Sequence, residues 1–302
     1  MIIKPRANIH CHLDGSLRES TIFELGKKFN IKIPENFKFY DKMSLEVALS
    51  YFLTSLKLLQ EKEELKRVAS EICEDAIQDN VTKLEIRFAP HLHQQKGLKT
   101  EEVIDSVLEG IDGRAGLILC GLYGDNPKIL ENYVELVKTR RNVVAIDIAG
   151  APHPNHNFTL RDYAPAYKKA LEYGIGRTVH AGEGRDPIEI ITAITELHAQ
   201  RLGHATTLLE SERATQLVLD KKIVIESCPT SNIQCAAINS FENHPLPQWL
   251  ELGIKASINP DNTFFSNVSS SKEHIRALNI NGMDEKLLEL AIENGLTGTF
   301  SY

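Results

Sequence analysis

The apolar positions along the chain follow two alternating patterns. Short runs rich in aliphatic and β-branched residues predict buried strands, whereas the longer segments between them repeat apolar residues at helical spacing. In the segment SLEVALSYFLTSLKLL, one predicted helical face, which we expect to pack mostly on the core, carries Leu45, Leu49, Phe52, Leu56 and Leu59. Strands are predicted over residues 7–10, 83–89, 116–122, 143–149, 177–180, 201–204, 223–227 and 255–259.

This regular alternation predicts the fold class. Strands separated by helices form parallel sheets, and eight is the number of strands that closes a barrel. We therefore predict an α/β fold, a single-domain (β/α)8 TIM barrel over residues 1–302. Because the chemistry of such barrels lies at the carboxyl ends of the strands, the polar residues at those ends are the candidates for function.

Composition and charge narrow the classes of function. The chain has 302 residues, of which 42% are hydrophobic and 25% charged, as in ordinary globular proteins. Its net charge of −7 argues against a nucleic-acid backbone or an anionic membrane as a partner. The sequence has neither an apolar signal-peptide core nor a run of ~20 apolar residues that would span a membrane. Five cysteines without a CxxC spacing predict reduced thiols in a cytoplasmic protein.

Three strand ends carry side chains that could bind a metal ion together. The first strand leads into His10-Cys11-His12, where side chains two positions apart point the same way. His180, in TVHAGE, and Asp261, in SINPDN, follow the fifth and eighth strands. Three imidazoles and one carboxylate suit Zn²⁺ with a position left for water. The sequence thus predicts one zinc ion per chain.

Further titratable residues at strand ends predict acid–base chemistry beside that water. Glu183, in HAGE, and His204, in RLGH, are the candidates. Each signal has a structural alternative, since Asp261 could instead cap a helix after the eighth strand. A second HxH, His91 and His93, has no carboxylate motif beside it, and we interpret both as loop residues. The candidates fall at strand ends that were predicted independently of them, which favours one catalytic site.

Five motifs in order along the chain resemble those of the adenosine deaminase family, zinc-dependent hydrolases of aminopurines. They are HxHLDG, HAGE, RLGH, SCPTSN and NxDN, and the resemblance runs from about residue 8 to about residue 280. It implies a barrel of the metal-dependent hydrolase type that converts adenosine, and 2′-deoxyadenosine, to inosine and ammonia. It also implies the zinc ligands His10, His12, His180 and Asp261.

The resemblance assigns roles to the catalytic residues. Glu183 matches the acid that protonates purine N1, and His204 matches the residue that orients the attacking hydroxide. Asp261 would contact both metal and water and accept the proton of the water. These roles fit the chemistry, because purine C6 is a poor electrophile until N1 gains a proton.

The resemblance also assigns contacts to the substrate, a small purine nucleoside. The backbone of Gly150 would meet purine N3, Asp14 a ribose hydroxyl, and Asn262 purine N7. A hydrophobic lid over the nucleoside would be formed by Leu45, Leu49 and Phe52.

The chain departs from the family pattern at three places. Asn262 stands where many members have a second aspartate, and its amide can still donate to N7. Ala205 follows the histidine of RLGH where glycine is usual, so we expect a slightly crowded floor of the site. After Gly150 the chain reads APHPNHNF in place of an acidic segment.

Two alternatives stay open. The same chemistry could act on adenine or on another 6-aminopurine nucleoside or nucleotide. A phosphate on the substrate would need a basic residue at the mouth, where Arg185 is the obvious candidate, although we interpret it as a solvent-facing loop residue. A catalytically silent, nucleoside-binding barrel is disfavoured, because all four metal ligands and Glu183 are present.

Overall fold

Eight parallel strands form the centre of the molecule in the computed structural model, which describes residues 4–300. The predicted domain of residues 1–302 therefore includes terminal residues that lie outside the described part. Each strand pairs with the next one along the chain. The strands are β1 (Arg6–His12), β2 (Val81–Phe88), β3 (Gly116–Leu122), β4 (Val143–Ala149), β5 (Gly176–Ala181), β6 (Arg201–His204), β7 (Val224–Ser227) and β8 (Lys255–Ile258).

Helices surround this sheet, so the predicted barrel of strands and helices is confirmed. They are α1 (Glu19–Phe29), α2 (Leu45–Leu58), α3 (Lys62–Gln78), α4 (Thr100–Ile111), α5 (Pro127–Val137), α6 (Ala164–Glu172), α7 (Ile188–Thr195), α8 (Glu212–Lys221), α9 (Pro229–Gln234), α10 (Leu246–Glu251), α11 (Ser270–Ala277) and α12 (Glu285–Thr297).

The inside of the barrel is lined by charged side chains, whereas the outer face of its strands packs on the helices through apolar side chains. On β4, Ile146 and Ile148 join the apolar core shared with the helices, whereas Asp147 between them faces inward. Arg87 of β2 binds Asp147 at 2.8 Å and Glu226 of β7 at 2.6 Å. Strands two, four and seven are not neighbours, so these contacts cross the inside of the barrel. A buried column of alternating charges therefore fills it.

This charge column continues to the amino-terminal end of the barrel. Arg201 of β6 pairs with Glu226 at 2.7 Å and with Glu85 of β2 at 2.5 Å. Below them, the guanidinium of Arg201 lies 3.9 Å from the ring centroid of Phe300. Glu85 also accepts a hydrogen bond from the backbone nitrogen of Phe300. Phe300 closes the barrel opposite the carboxyl ends of the strands.

The first and last strands meet at a seam. Among the described residues, a single isolated bridge between Cys11 and Asp261 joins the two backbones there. The nitrogen of His12 donates to the carbonyl of Asp261 at 2.9 Å, and the nitrogen of Ile9 donates to the side chain of Asn259 at 2.9 Å. The barrel therefore closes at the strand ends that carry the candidate metal ligands.

All five cysteines are buried and free of disulfides, as predicted. In the stretch from residue 4 to residue 300, no helix combines the length and the apolarity needed to span a bilayer.

Candidate active site

The four predicted metal ligands come together at the carboxyl ends of the strands. The Nε2 atoms of His12 and His180 lie 3.2 Å apart. The Oδ1 atom of Asp261 lies 3.3 Å from Nε2 of His10 and 3.5 Å from Nε2 of His12. Four ligands about 2.1 Å from a central ion form a tetrahedron whose edges are about 3.4 Å. The three distances are close to this edge length.

Two of these donor atoms have no partner in the protein. The Nε2 atom of His10 and the Oδ1 atom of Asp261 are fully buried and accept or donate no hydrogen bond. A buried polar atom without a partner costs about 1–3 kcal/mol, so such atoms mark a strained or ligand-binding position. Because both face the same point, the donor set fits a bound cation.

The opposite ring nitrogens of two histidines are held by carboxylates. Nδ1 of His10 lies 2.7 Å from Glu226, and Nδ1 of His180 lies 3.0 Å from Asp147. A carboxylate accepts, so each Nδ1 carries the hydrogen and each Nε2 keeps its lone pair for a metal. Arg87 contacts both carboxylates and fixes their positions.

The other oxygen of Asp261 is also held in place. The hydroxyl of Ser231, in α9, donates to Oδ2 of Asp261 at 2.6 Å. This bond leaves Oδ1 for the cation. Burial favours the neutral acid, but the contact with His10 and the attraction of His12 and His204 outweigh it, so the pKa of Asp261 lies well below its usual range.

Geometry alone allows other ligand sets. The donor atoms of His10, His180 and His204 lie within 4.8 Å of one another, as do those of His10, Cys228 and Asp261. Burial raises the pKa of the Cys228 thiol well above its ordinary value. The role of His204 depends on which of its nitrogens carries the hydrogen.

Glu183 is buried beside the ligands and is suited to donate a proton. Burial raises the pKa of Glu183 to about 7, against the opposing effect of the Arg185 guanidinium 3.6 Å away. Its Oε1 lies 3.7 Å from Nδ1 of His204, too far for a hydrogen bond. At neutral pH a large fraction of Glu183 therefore carries a proton.

Three residues of the site have a left-handed backbone that favours glycine. His204 has φ of 67°, Ala205 has φ of 50°, and Asp261 has φ of 62°. Such conformations cost about 1–3 kcal/mol each and concentrate at functional sites. Ala205 is fully buried, and its left-handed backbone is a conformation that glycine adopts at lower cost.

A narrow cavity of about 50 Å³ opens onto these residues. The predicted substrate contacts Gly150 and Asn262 line it, as do Leu45, Leu49 and Phe52 of α2. Sequence reasoning missed three further lining residues, Phe39, Ala48 and Cys235.

Two predicted substrate contacts have distinct surroundings. Asp14 is buried in the turn after β1, and burial raises its pKa to about 7. Oδ1 of Asn262 has no partner, and a β-carbon at Gly15 would lie 1.9 Å from it. The side chain of Asn262 therefore packs against the turn that follows β1 only because residue 15 of that turn is glycine.

Two sequence interpretations need correction, and the structural alternative for Asp261 is not observed. Arg185 does not face solvent, because its side chain is only 17% exposed and pairs with Glu189 at 2.9 Å. His91 does have a carboxylate partner, Asp125 at 3.1 Å, and His93 is fully buried with Nδ1 against a backbone carbonyl. Asp261 caps no helix, since Ser269 caps α11.

Comparison with known proteins places these features in a family. The model that describes the adenosine deaminase family matches residues 5–301. An adenosine deaminase from Clostridium botulinum (strain Okra / Type B1) is 41% identical over 287 residues, which cover 89% of this chain and 85% of that protein.

Two solved structures share the fold over nearly the whole chain. Adenine deaminase from Arthrobacter aurescens superposes with a TM-score of 0.89 at 20% identity, covering 99% of this chain and 94% of that one. A Burkholderia ambifaria amidohydrolase with bound Zn superposes with a TM-score of 0.87 at 23% identity, covering 99% of this chain and 86% of that one.

Proposed function

The chain belongs to the adenosine deaminase family, and we propose that it binds one zinc ion and converts adenosine and water to inosine and ammonia. It is a hydrolase that acts on a carbon–nitrogen bond. We expect 2′-deoxyadenosine to be a substrate as well. The observation that carries the proposal is the pair of unpartnered buried atoms, Nε2 of His10 and Oδ1 of Asp261, beside the protonated carboxyl of Glu183.

His10, His12, His180 and Asp261 would hold the zinc ion. Their buried nitrogen and oxygen donors suit zinc, and the Burkholderia ambifaria protein that shares the fold was solved with bound Zn. When bound, zinc lowers the pKa of water to about 7 and so makes hydroxide available at neutral pH.

Glu183 would activate the purine. Its protonated carboxyl donates to N1, which draws electrons from C6 and lets the water oxygen add there. The apolar surroundings that keep Glu183 protonated are the physical cause of this acidity near neutral pH.

Asp261 would transfer the proton of the water, and His204 would stabilise the charge on the added oxygen. Asp261 takes the proton that the water loses and passes it to the 6-amino group, which leaves as ammonia while C6 forms a carbonyl. His204 stabilises the negative charge that develops on the added oxygen. One proton of the water would thus leave with the ammonia, and the other, lost from the C6 oxygen as the carbonyl forms, would return to Glu183, so that adenosine plus water gives inosine plus ammonia.

The cavity favours a nucleoside over a nucleotide. Among the described residues that line it, none is lysine or arginine. Arg185 is near but is already held by Glu189, and its guanidinium also lies 5.5 Å from the ring centroid of Tyr123. A substrate phosphate inside the cavity would therefore contact no lysine or arginine among these lining residues.

The test is turnover of adenosine by the zinc-loaded protein, measured as ammonia release and loss of adenosine absorbance. Glu183→Gln should reduce kcat by a factor of about 10²–10⁴, because the general acid is lost. Glu71→Gln is the control, since Glu71 is a buried carboxyl of α3 that accepts a hydrogen bond from Thr21 and lies outside the cavity. Absence of adenosine turnover by the fully loaded protein would refute the proposed substrate and direct the search to adenine.

Asp14→Ala separates adenosine from adenine as the substrate. If Asp14 binds ribose, the variant should raise KM for adenosine by about 10-fold or more, because one charge-assisted hydrogen bond to the substrate is lost. Turnover of adenine should be unaffected, because adenine has no ribose. An unchanged KM for adenosine would contradict the assigned contact.

A further inference from the structure

Four histidines surround the cation position, and three of them, His10, His180 and His204, differ in the partners of their second ring nitrogens. Those of His10 and His180 face carboxylates, Glu226 and Asp147. Nδ1 of His204 instead lies 3.0 Å from the side-chain amide of Asn232. The hydrogen of the His204 ring therefore need not lie on Nδ1, as it does in His10 and His180. The partner of Nδ1 decides which nitrogen of His204 carries it.

A buried chain of hydrogen bonds continues behind Asn232. Oδ1 of Asn232 lies 3.1 Å from Nε2 of His244, and Nδ1 of His244 lies 3.1 Å from the backbone nitrogen of Leu246. Asn232, His204 and His244 are each at most 2% exposed. Three side chains and one backbone amide therefore form a relay that is closed to water.

The backbone amide fixes the direction of every bond in this relay. A peptide N–H can only donate, so Nδ1 of His244 accepts from Leu246. Burial lowers the pKa of His244 to about 3, so the ring is neutral and its hydrogen is on Nε2. That hydrogen is donated to Oδ1 of Asn232, which turns the amide NH₂ of Asn232 towards Nδ1 of His204.

His204 is consequently an acceptor at Nδ1 and a donor at Nε2. Since a neutral imidazole carries one hydrogen, a lone pair at Nδ1 requires the hydrogen at Nε2. An Nε2–H group cannot ligate a metal but can donate to an oxygen. The carboxylates behind His10 and His180 impose the opposite state, with the lone pair at Nε2.

We propose that Asn232 and His244 are positioning residues that hold His204 as an Nε2–H donor, which keeps it out of the metal coordination and directs it to the oxygen that adds to the purine. The inference rests on the proposed function for the identity of that oxygen. The tautomer of His204 itself is independent of the substrate.

The first experiment determines that tautomer. Nitrogen-15 NMR of histidine-labelled, zinc-loaded protein distinguishes a ring nitrogen that carries hydrogen from one that does not, and a His204→Gln spectrum identifies the signals of His204. We expect hydrogen on Nε2 of His204 and on Nδ1 of His10 and His180. Hydrogen on Nδ1 of His204 would overturn the proposal, whether or not the protein acts on adenosine.

The second experiment reverses the relay. Asn232→Asp preserves the shape of the side chain but can only accept, so His204 should carry its hydrogen on Nδ1. We expect kcat for adenosine to fall about 100-fold or more, while KM changes by less than about 3-fold and zinc content stays at one per chain. His244→Leu, which leaves Asn232 free to rotate, should lower kcat about 10-fold.

Two further variants separate positioning from stability. His244→Gln offers an amide nitrogen that can donate to Asn232, so most of the lost kcat should return. His274→Leu is the matched control, because His274 is a buried histidine of α11 that bonds the carbonyl of Ser270 away from the cavity. This variant should alter stability alone.

The outcomes discriminate clearly. A loss of kcat together with the tautomer shift in Asn232→Asp and His244→Leu supports the proposal. A loss of kcat with the His204 tautomer of the parent protein overturns it, because the residues would then act by another route. Failure of the parent to deaminate adenosine would refute the proposed function but leave the NMR result interpretable.

Discussion

At the scale of single residues, the metal site depends on space as much as on donors. A β-carbon at Gly203 would lie 3.0 Å from Cε1 of His10 and 3.3 Å from Cγ of His180. The glycine of the RLGH motif therefore makes room for two rings that must converge. Gly15 does the same for Asn262.

Gly203→Ala tests this dependence on space. The added methyl should push the two rings off the positions that their carboxylate partners define, and zinc affinity should fall about 10-fold or more. Competition with a chelator measures it. Gly295→Ala is the control, since its added carbon meets neighbours at ordinary contact distances of 3.4 and 3.5 Å. Equal zinc affinity in both variants would contradict the prediction.

At the scale of elements, α2 covers the cavity with one face and meets solvent with the other. The ring centroid of Phe52 lies 6.4 Å from that of His12 and 4.9 Å from that of Phe265. Leu53, the next residue, is 62% exposed. One turn of this helix therefore carries both a cavity wall and a solvent-facing apolar residue.

Phe52→Ala should weaken substrate binding more than it slows the reaction. We expect KM for adenosine to rise about 10-fold, which corresponds to about 1.4 kcal/mol of lost apolar contact. Steady-state kinetics check it, with Leu53→Ala as the adjacent control. A fall in kcat at unchanged KM would show that α2 does not act as a lid.

A second pair of elements is joined by a buried carboxyl. Glu273 of α11 accepts from the backbone nitrogen of Thr230 at 2.7 Å and from the hydroxyl of the same residue. Thr230 precedes Ser231 and Asn232, which position Asp261 and His204. Glu273 thus anchors the short helix that carries both positioning residues.

Glu273→Gln should stabilise the protein at alkaline pH. Burial raises the pKa of Glu273 to about 7 from an ordinary value of 4.5, so the folded state disfavours its charge. Its contribution to stability is therefore full below about pH 4.5 and is lost as pH rises through 7. Urea unfolding should show the variant gaining up to about 3 kcal/mol over the parent between pH 5 and pH 8. A difference that does not vary with pH would contradict this.

The elements, and the positions of the candidate metal ligands at strand ends, could be predicted from sequence, because both follow local patterns. The bounds of β3, β4 and β6 were predicted to the residue, and β1 extends two residues further than predicted, to His12. The burial of Arg185 could not be predicted, since it depends on Glu189 and Tyr123 around it. The hydrogen bonds through Asn232 and His244 could not be predicted from sequence either, because the direction of a hydrogen bond depends on three-dimensional contacts.

At the scale of the whole molecule, the charge column joins the metal site to the closed end of the barrel. Arg87 bridges the carboxylates behind His10 and His180, and Arg201 continues the column to Phe300. Each buried charge has an opposite partner, which burial of charge requires. The stability of the fold and the affinity for a metal ion therefore depend on the same residues.

Arg87→Met should reduce both quantities. Two buried carboxylates would lose their partner, and we expect a loss of about 3–5 kcal/mol in the free energy of unfolding together with weaker zinc binding. Urea unfolding and chelator competition measure the two effects. Arg67→Met, which breaks a surface pair with Glu24 and a partly buried pair with Glu71, should cost less than Arg87→Met. Similar losses in the two variants would contradict a role for the column.

The seam between β1 and β8 has a consequence for how the chain folds. Ile9 and Asn259 meet there although 250 residues separate them, so closing this loop costs about 5 kcal/mol of chain entropy. Contacts at such sequence separation slow folding, and the seam has few backbone bonds to repay the cost. An ion held by His10 and His12 on one side and by Asp261 on the other would cross-link the two ends of that loop. Metal-free protein should refold more slowly and exchange the amide hydrogen of His12 faster than the metal-bound form does.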